Sequence, residues 1–200
     1  MERVVTTEPL DSDRDLVARC QAGDEAAFDE LVRRHQQRAV NVAWQLLRDR
    51  EDAVEVAQDA FVSVYRNIAG FRNECEFTTW LHRIVVNLAR NRHRWWHRRG
   101  REQTMSLDAP LATDDGPLER QFAVVAPGPQ AEAAQAEFVE QVTAAMGRLP
   151  RKYREALVLR NVEELSYEEI ATVLRCSVGT VKSRIARGRE KLRETMSDER

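Results

Sequence analysis

The chain has 200 residues and a formal net charge of −2, with 31 basic and 33 acidic side chains. Because the positive and negative charges nearly cancel, the chain as a whole does not attract polyanions. A nucleic-acid partner would therefore have to bind to local basic patches. Its 3 cysteines are scattered along the chain, which excludes a disulfide framework. The chain lacks an apolar run of about 18 residues and a signal-peptide pattern, so we predict a cytoplasmic protein without membrane insertion.

Helical periodicity runs through the N-terminal half, and no segment shows the alternation of a strand. We predict helices at about 14–21, 25–48, 51–68 and 78–98. Ser12 or Asp13 can cap the first helix, and Asp24 can cap the second. Residues 1–102 are therefore predicted to form one all-α unit.

The predicted helix 51–68 has two faces of different character. Its apolar stripe, which we interpret as core, has spacings of three and four and consists of Val54, Ala57, Phe61, Val64 and Ile68. The opposite face carries Asp52, Glu55, Gln58 and Asp59. From the pattern alone, this acidic face is either an ordinary solvated surface or a surface for a basic partner.

The predicted helix 78–98 ends in the most basic stretch of the chain, RNRHRWWHRR. Its apolar side consists of Leu81, Ile84, Val85, Leu88 and Trp95. Its polar side consists of Arg83, Asn87, Arg90, Arg94 and Arg98. We therefore predict that Trp95 points inward, leave Trp96 undecided, and assign Trp80 to the core.

His93 and His97 have the spacing of two metal ligands on one helix. They lack a nearby acidic or cysteine ligand, and the surrounding arginines repel a cation. We predict neither a metal nor a cofactor.

Residues 103–135 contain four prolines and five acidic residues against a single base, Arg120. Prolines interrupt helices, and this composition cannot bury enough apolar surface to order itself. We predict a flexible acidic linker between the first unit and a second helical unit over residues 136–200.

The second unit has the spacing of a helix-turn-helix. Ser166 and Glu169 form a capping box before a short helix, residues 175–177 form the turn, and a longer helix starts at about 178. The outer face of the longer helix carries Thr180, Ser183, Arg184, Arg187 and Lys191. Arginine and hydroxyl groups at such positions suit a DNA major groove, although an ordinary helical hairpin with a basic face remains the alternative.

These residues resemble a known family. LSYEEIA with CSVGTVKSRIARGREKLR resembles the C-terminal DNA-binding domain of extracytoplasmic-function (ECF) sigma factors of the sigma-70 family. GDEAAFDELVRRH, DAVEVAQDAFVSVYRNI and FRNECEFTTWLHRIVVNLARN resemble the N-terminal domain of the same family, and both units stand in the family's order.

The resemblance implies an alternative sigma factor that binds bacterial RNA polymerase core and directs promoter-specific initiation. Residues 1–102 would correspond to region 2, which docks on the clamp of the largest polymerase subunit and opens the −10 element. Residues 136–200 would correspond to region 4, which reads the −35 element. It further implies control by an anti-sigma factor and a role in a stress or envelope response.

Residue roles carried over from the family fall into three sets. The polymerase-binding set is Asp52, Glu55, Gln58 and Asp59. The −10 set is Arg72, Arg83, Asn87, Arg90, Asn91 and Arg94. The −35 set is Thr180, Lys182, Ser183, Arg184 and Arg187, in which Lys182 is expected nearer the apolar side of its helix.

Other classes of function fit the sequence less well. It shows no nucleophile–base set, phosphate-binding glycine loop or metal-ligand set, so we do not expect an enzyme. A stand-alone helix-turn-helix regulator is the alternative, but it would need a ligand pocket, receiver or dimerisation face in the first unit. An RNA-binding adaptor would expose aromatic platforms, and none is predicted.

Overall fold

The computed structural model describes residues 11–98, 138 and 141–197, and every regular element among them is a helix. The N-terminal part contains α1 (Asp13–Gln21), α2 (Glu25–Leu47), α3 (Arg50–Asn67) and α4 (Phe77–Arg98), with a 3-10 turn at Ile68–Gly70. The C-terminal part contains a helical segment at 141–148, then α5 (Arg151–Asn161), α6 (Tyr167–Leu174) and α7 (Val178–Ser197). The prediction of an all-α chain is confirmed, while the predicted linker 103–135 lies outside the described residues.

Side-chain caps fix where these helices begin. Ser12, and not Asp13, caps α1 through a capping box with Asp15. The carboxylate of Asp24 accepts a hydrogen bond of 3.2 Å from the amide of Ala27, as predicted for α2. Ser166 and Glu169 form the predicted capping box of α6. Each cap satisfies an amide that the first turn of a helix leaves without a backbone partner.

The core of the N-terminal part lies between α2, α3 and α4. Leu31 and Val42 of α2 are fully buried there with Val64 of α3. The predicted core position of Val54 is wrong, because this side chain is 37% exposed. The other predicted core residues are buried, and the buried stripe is wider than predicted because it also includes three further residues, Ala53, Val56 and Ala60.

Helix α4 is buried on two sides because both parts of the chain pack against it. His82, Val86 and Ala89 are buried in addition to the predicted Leu81 and Val85. Trp80 is buried, as predicted. Trp95 packs against the core, as predicted, although it is only half-buried; Trp96, which the pattern left undecided, is the more buried of the two at 6% exposed. A helix between two partners has more buried positions than a single apolar stripe predicts.

The C-terminal part is a helix-turn-helix supported by α5. Helix α6 ends at Arg175, which has the left-handed φ of 52° that often terminates helices. The amide of Cys176 then donates to the carbonyl oxygen of Ala171, and α7 follows after the predicted three-residue turn. Helix α7 crosses α5 closely at Gly188, where a Cβ would lie 3.0 Å from Leu157. A larger residue there would require the Leu157 side chain to shift by a few tenths of an ångström, so glycine favours the close packing of α7 on α5.

The two parts share one continuous apolar core. Helix α2 contacts α5, and α4 contacts α6. Arg154 of α5 crosses the junction and donates a hydrogen bond of 2.9 Å to the carbonyl oxygen of Leu46 in α2. In this arrangement, α4 lies between the N-terminal core and the helix-turn-helix. None of the described helices is long and apolar enough to span a bilayer.

Candidate polymerase and nucleic-acid interfaces

The outer face of α3 combines acidic, amide and apolar groups. Glu55, Gln58 and Asp59 of the predicted polymerase-binding set are exposed. They share this face with two exposed valines, Val54 at 37% and Val62 at 47%. Exposed apolar side chains that lie together can mark a protein-binding surface. We call Val54, Glu55, Gln58, Asp59 and Val62 the α3 outer face.

Asp52 does not belong to this surface, and its predicted outward position is wrong. Its side chain is only 9% exposed, and Oδ1 lies 3.2 Å from Nη1 of Arg92 in α4. The other terminal nitrogen of Arg92 lies 2.6 Å from Glu55. The hydrogen bond with Glu55, the larger cause, and the charge of Asp52 raise the pKa of Arg92. Arg92 therefore ties α4 to α3, and Asp52 has a structural role.

Some of the predicted −10 residues are exposed, whereas others are partly buried or paired with another residue of the protein. Arg72 is exposed in the loop before α4, and Asn91 and Arg94 are exposed near its end. Arg94 donates a hydrogen bond to the side-chain oxygen of Asn91. Arg83 and Asn87 lie on α4 between Arg72 and Asn91 in the sequence, and both are half-buried. The structure thus places five of the six residues along one helix, α4, and Arg72 in the loop before it.

Arg90, the remaining predicted −10 residue, is engaged within the protein. Its Nε and Nη2 donate to the two carboxylate oxygens of Glu155 in α5, at 2.8 and 2.7 Å. This bidentate contact is the main reason that the pKa of Arg90 is raised. A phosphate contact by Arg90 would first require this pair to separate.

The outer face of α7 presents the predicted −35 residues around its first turns. Lys182, Ser183 and Arg187 are exposed, and Thr180 and Arg184 are half-exposed. Lys182 is exposed but lies beside the buried Val181, and its ammonium group is 5.8 Å from the ring centre of Tyr167, which agrees with the expected position nearer the apolar side. Thr180, Ser183, Arg184 and Arg187 therefore share one side of the second helix of the helix-turn-helix, and Lys182 lies at the edge of its buried side.

Ser177 is a helix-capping residue that the sequence analysis did not single out. Its hydroxyl accepts a hydrogen bond of 3.2 Å from the amide of Thr180 and lies 2.9 Å from the Thr180 hydroxyl. Ser177 therefore caps α7 and orients a predicted DNA contact. The signal was present, since a serine directly before an apolar helical run is a common N-cap.

A basic groove lies where the end of α4 meets the start of α5. Its cationic lining residues include Arg92, Arg94 and Arg98 of α4 and Arg151 and Lys152 of α5. Asp59 is the acidic residue among its lining residues. The sequence analysis missed Arg151 and Lys152 because they are remote from α4 in sequence, and only packing brings them together.

Two family models match the chain in the order of its two parts. A model described as Sigma-70 region 2 matches residues 31–99, and one described as Sigma-70, region 4 matches residues 139–192. The RNA polymerase sigma-H factor of Pseudomonas aeruginosa is 38% identical over 181 residues, covering 90% of this chain and 91% of that protein. The ECF RNA polymerase sigma-E factor of Haemophilus influenzae is 37% identical over 179 residues, covering 90% and 92%.

Solved structures agree with the sequence comparisons. CnrH, solved in complex with the cytosolic domain of CnrY, has a TM-score of 0.68 and 28% identity, covering 95% of this chain and 100% of that one. The sigma factor RpoE of Bartonella quintana has a TM-score of 0.64 at 21% identity and shares the fold. Fold and sequence together define a transcription initiation factor of the sigma class. The chain belongs to the ECF RNA polymerase sigma factors of the sigma-70 family.

Proposed function

We propose that the three surfaces divide the work of a sigma factor between them. The α3 outer face binds the polymerase clamp, the exposed polar side of α4 contacts the −10 element, and α7 reads the −35 duplex. The observation that most supports this proposal is the start of α7, which is exposed and rich in basic and hydroxyl groups. This helix packs on α5 and follows a three-residue turn. Arginine and lysine there can donate to guanine edges and phosphates in the major groove.

The role of α4 follows from the groups that it presents. An asparagine such as Asn87 carries both a donor and an acceptor, so it can pair with the edge of an unstacked base. The arginines beside it can hold phosphates without reading sequence. We infer that Asn87 and Asn91 contribute selectivity at the −10 element, whereas Arg72, Arg83, Arg90 and Arg94 contribute affinity.

The basic groove extends the −10 surface towards the second part of the chain. Arg94 and Arg98 line it from α4, and Lys152 lines it from α5. Promoter DNA that follows α4 would meet these side chains next, and their contacts with phosphates would be independent of sequence.

A regulatory protein partner completes the proposal. CnrH, the solved relative described above, was determined with the cytosolic domain of CnrY bound. RpoE of Bartonella quintana was determined in complex with the anti-sigma factor NepR. We infer that an anti-sigma factor also controls this chain and that both act in the cytoplasm. The chain itself supplies no catalytic step in this role.

The experiment that tests the proposal is holoenzyme formation with bacterial core polymerase. The chain should elute with core polymerase in size-exclusion chromatography, and Asp59→Asn should weaken this association. Glu25→Gln, an exposed change at the start of α2, is the matched control and should elute like the wild type. A chain that binds DNA but never associates with core polymerase would instead be a stand-alone regulator.

A further inference from the structure

The loop between α3 and α4, residues 71–76, is held at both ends by aromatic contacts. At its start, the ring of Phe71 stacks on Trp80 of α4, with ring centres 4.5 Å apart and planes inclined by 15°. Beyond its end, Phe77 is 3% exposed, and its ring centre lies 6.1 Å from that of Trp80. Between these two rings the loop has four exposed residues, Arg72, Asn73, Glu74 and Glu76. The loop therefore presents a short exposed segment between two fixed points.

Gln21, the last residue of α1, makes a polar contact with the start of this loop. Its side-chain nitrogen Nε2 donates hydrogen bonds to the carbonyl oxygens of Ile68 at 2.9 Å and Phe71 at 2.7 Å. A primary amide carries two donor hydrogens, so one side chain can serve both carbonyls. The backbone amide of Phe71 also donates to the Ile68 oxygen at 3.0 Å. These three bonds fix the peptide at which the 3-10 turn ends and the exposed segment begins.

The helix that carries Gln21 is itself fixed by the core. Leu16 and Val17, about one turn earlier on α1, are at most 2% exposed. Helix α1 contacts α2, α4 and the 3-10 turn. The side chain of Gln21 therefore reaches the loop from an anchored helix, and it joins positions that are 47 and 50 residues apart in the sequence.

The residues that follow this contact give it importance for the −10 surface. The carbonyl group of Phe71 belongs to the peptide bond that leads into Arg72, a member of the −10 set. Asn73 then has a φ of 53°, in the left-handed region that asparagine tolerates and that is common in turns. The direction in which Arg72 leaves the fold therefore depends on the orientation of one peptide, and Gln21 is bonded to that peptide.

We propose that Gln21 is a positioning residue for the −10 contact. By fixing the Phe71 peptide, it orients Arg72 and the exposed segment towards promoter DNA. Without this contact the backbone at Arg72 would sample more orientations, and the cost of ordering it on binding would reduce the affinity. The −10 role rests on the function proposed above, whereas the restraint on the loop does not.

Gln21→Met is the substitution that isolates this contact. Methionine has nearly the length of glutamine and a similar helix propensity, but its thioether carries no donor hydrogen. Gln36→Met is the matched control, because it makes the same chemical change at an exposed position of another helix, α2.

Limited proteolysis of the free full-length protein tests the restraint on the loop. Trypsin cleaves after arginine and requires a locally opened chain, so the rate of cleavage after Arg72 reports how easily this loop opens. The fragments are identified by mass spectrometry. Gln21→Met should raise the rate about threefold or more, as the loss of a typical hydrogen bond changes a local equilibrium. An unchanged rate in Gln21→Met, or an equal rise in Gln36→Met, overturns the restraint.

Open-complex formation with core polymerase tests the positioning role, on a promoter that the wild-type chain uses. Gln21→Met should lower the yield of open complexes in permanganate footprinting about threefold or more. It should leave the affinity for a duplex that carries the −35 element unchanged, and Gln36→Met should behave like the wild type in both measurements. A purely structural defect would weaken −35 binding and opening together, and this result overturns the positioning role.

A double-mutant cycle tests whether Gln21 acts through Arg72. Arg72→Ala should lower the open-complex yield by itself, and adding Gln21→Met should then cause little further loss, because the residue to be positioned is absent. Two losses that multiply overturn the proposal. A wild-type chain that supports no transcript overturns the −10 role together with the function proposed above, whereas the proteolysis tests the restraint on the loop without polymerase.

Discussion

Arg92 of α4 lies 3.2 Å from Asp52 of α3, and this pair removes one acidic residue from a surface that the family resemblance assigned to polymerase binding. Asp52 is buried, whereas Asp59, two turns later on the same helix, is exposed. The two aspartates therefore have different roles although they resemble each other in sequence.

Asp52→Asn should destabilise the fold, because it removes the charge of a buried carboxylate that pairs with Arg92 and leaves Glu55 as the charged partner of that guanidinium. We expect a loss of about 1–3 kcal/mol in the free energy of unfolding, measured by urea denaturation. Asp59→Asn should change that free energy by less than about 0.5 kcal/mol, as is usual for surface substitutions. It should instead weaken binding to core polymerase about fivefold or more. Equal stability losses in both variants would contradict this division.

The hydroxyl of Ser177 should stabilise the start of α7. Ser177→Ala removes the acceptor for the amide of Thr180 and should cost about 1 kcal/mol in the free energy of unfolding. Ser197→Ala, at the last residue of α7, is the control and should have little effect because helix ends fray. If both alanines had the same effect, Ser177 would not be a cap in solution.

The imidazole of His35 should make stability depend on pH. Burial lowers its pKa below 6.5, although its neighbour Asp13 partly opposes this. The unfolded chain then binds the proton more readily, so stability is present above about pH 6.5 and is lost as the pH falls through that value. His35→Gln should reduce the difference between unfolding free energies measured at neutral and mildly acidic pH. A wild-type protein that becomes more stable on acidification would contradict the sign.

Arg187 and Asn87 should affect different steps of promoter use. Arg187→Ala should cost about 1–3 kcal/mol in binding to a duplex that carries the −35 element, because it removes an exposed contact of α7. Asn87→Ala should leave that affinity unchanged and reduce the yield of open complexes detected by permanganate footprinting. Loss of duplex binding by Asn87→Ala would refute the assignment of α4 to the −10 element.

The local features of the fold could be predicted from the sequence alone. Caps such as Asp24 and Ser166 and the turn before α7 are encoded within a few residues, so short-range patterns predict them. The exposure of the predicted −35 residues on α7 could be predicted for the same reason, because all of these residues lie on one helix.

Features that depend on packing between distant segments could not be predicted. A helical wheel assumes one buried side, but α4 has partners on two sides, and so Trp96 is more buried than Trp95. Arg90 and Glu155 are 65 residues apart, and nothing periodic links them. Asp52 is buried and Val54 exposed, the reverse of the prediction, and the pairing of Asp52 with Arg92 of α4 is a contact between distant segments that the pattern of α3 does not contain.

The most direct measurement is transcription from genomic promoter fragments by core polymerase in the presence of this chain, with start sites mapped from the RNA ends. We predict a discrete set of transcripts whose start sites share upstream −35 and −10 elements and that disappear when the chain is omitted. Specific DNA binding without any transcript that depends on the chain would contradict the account.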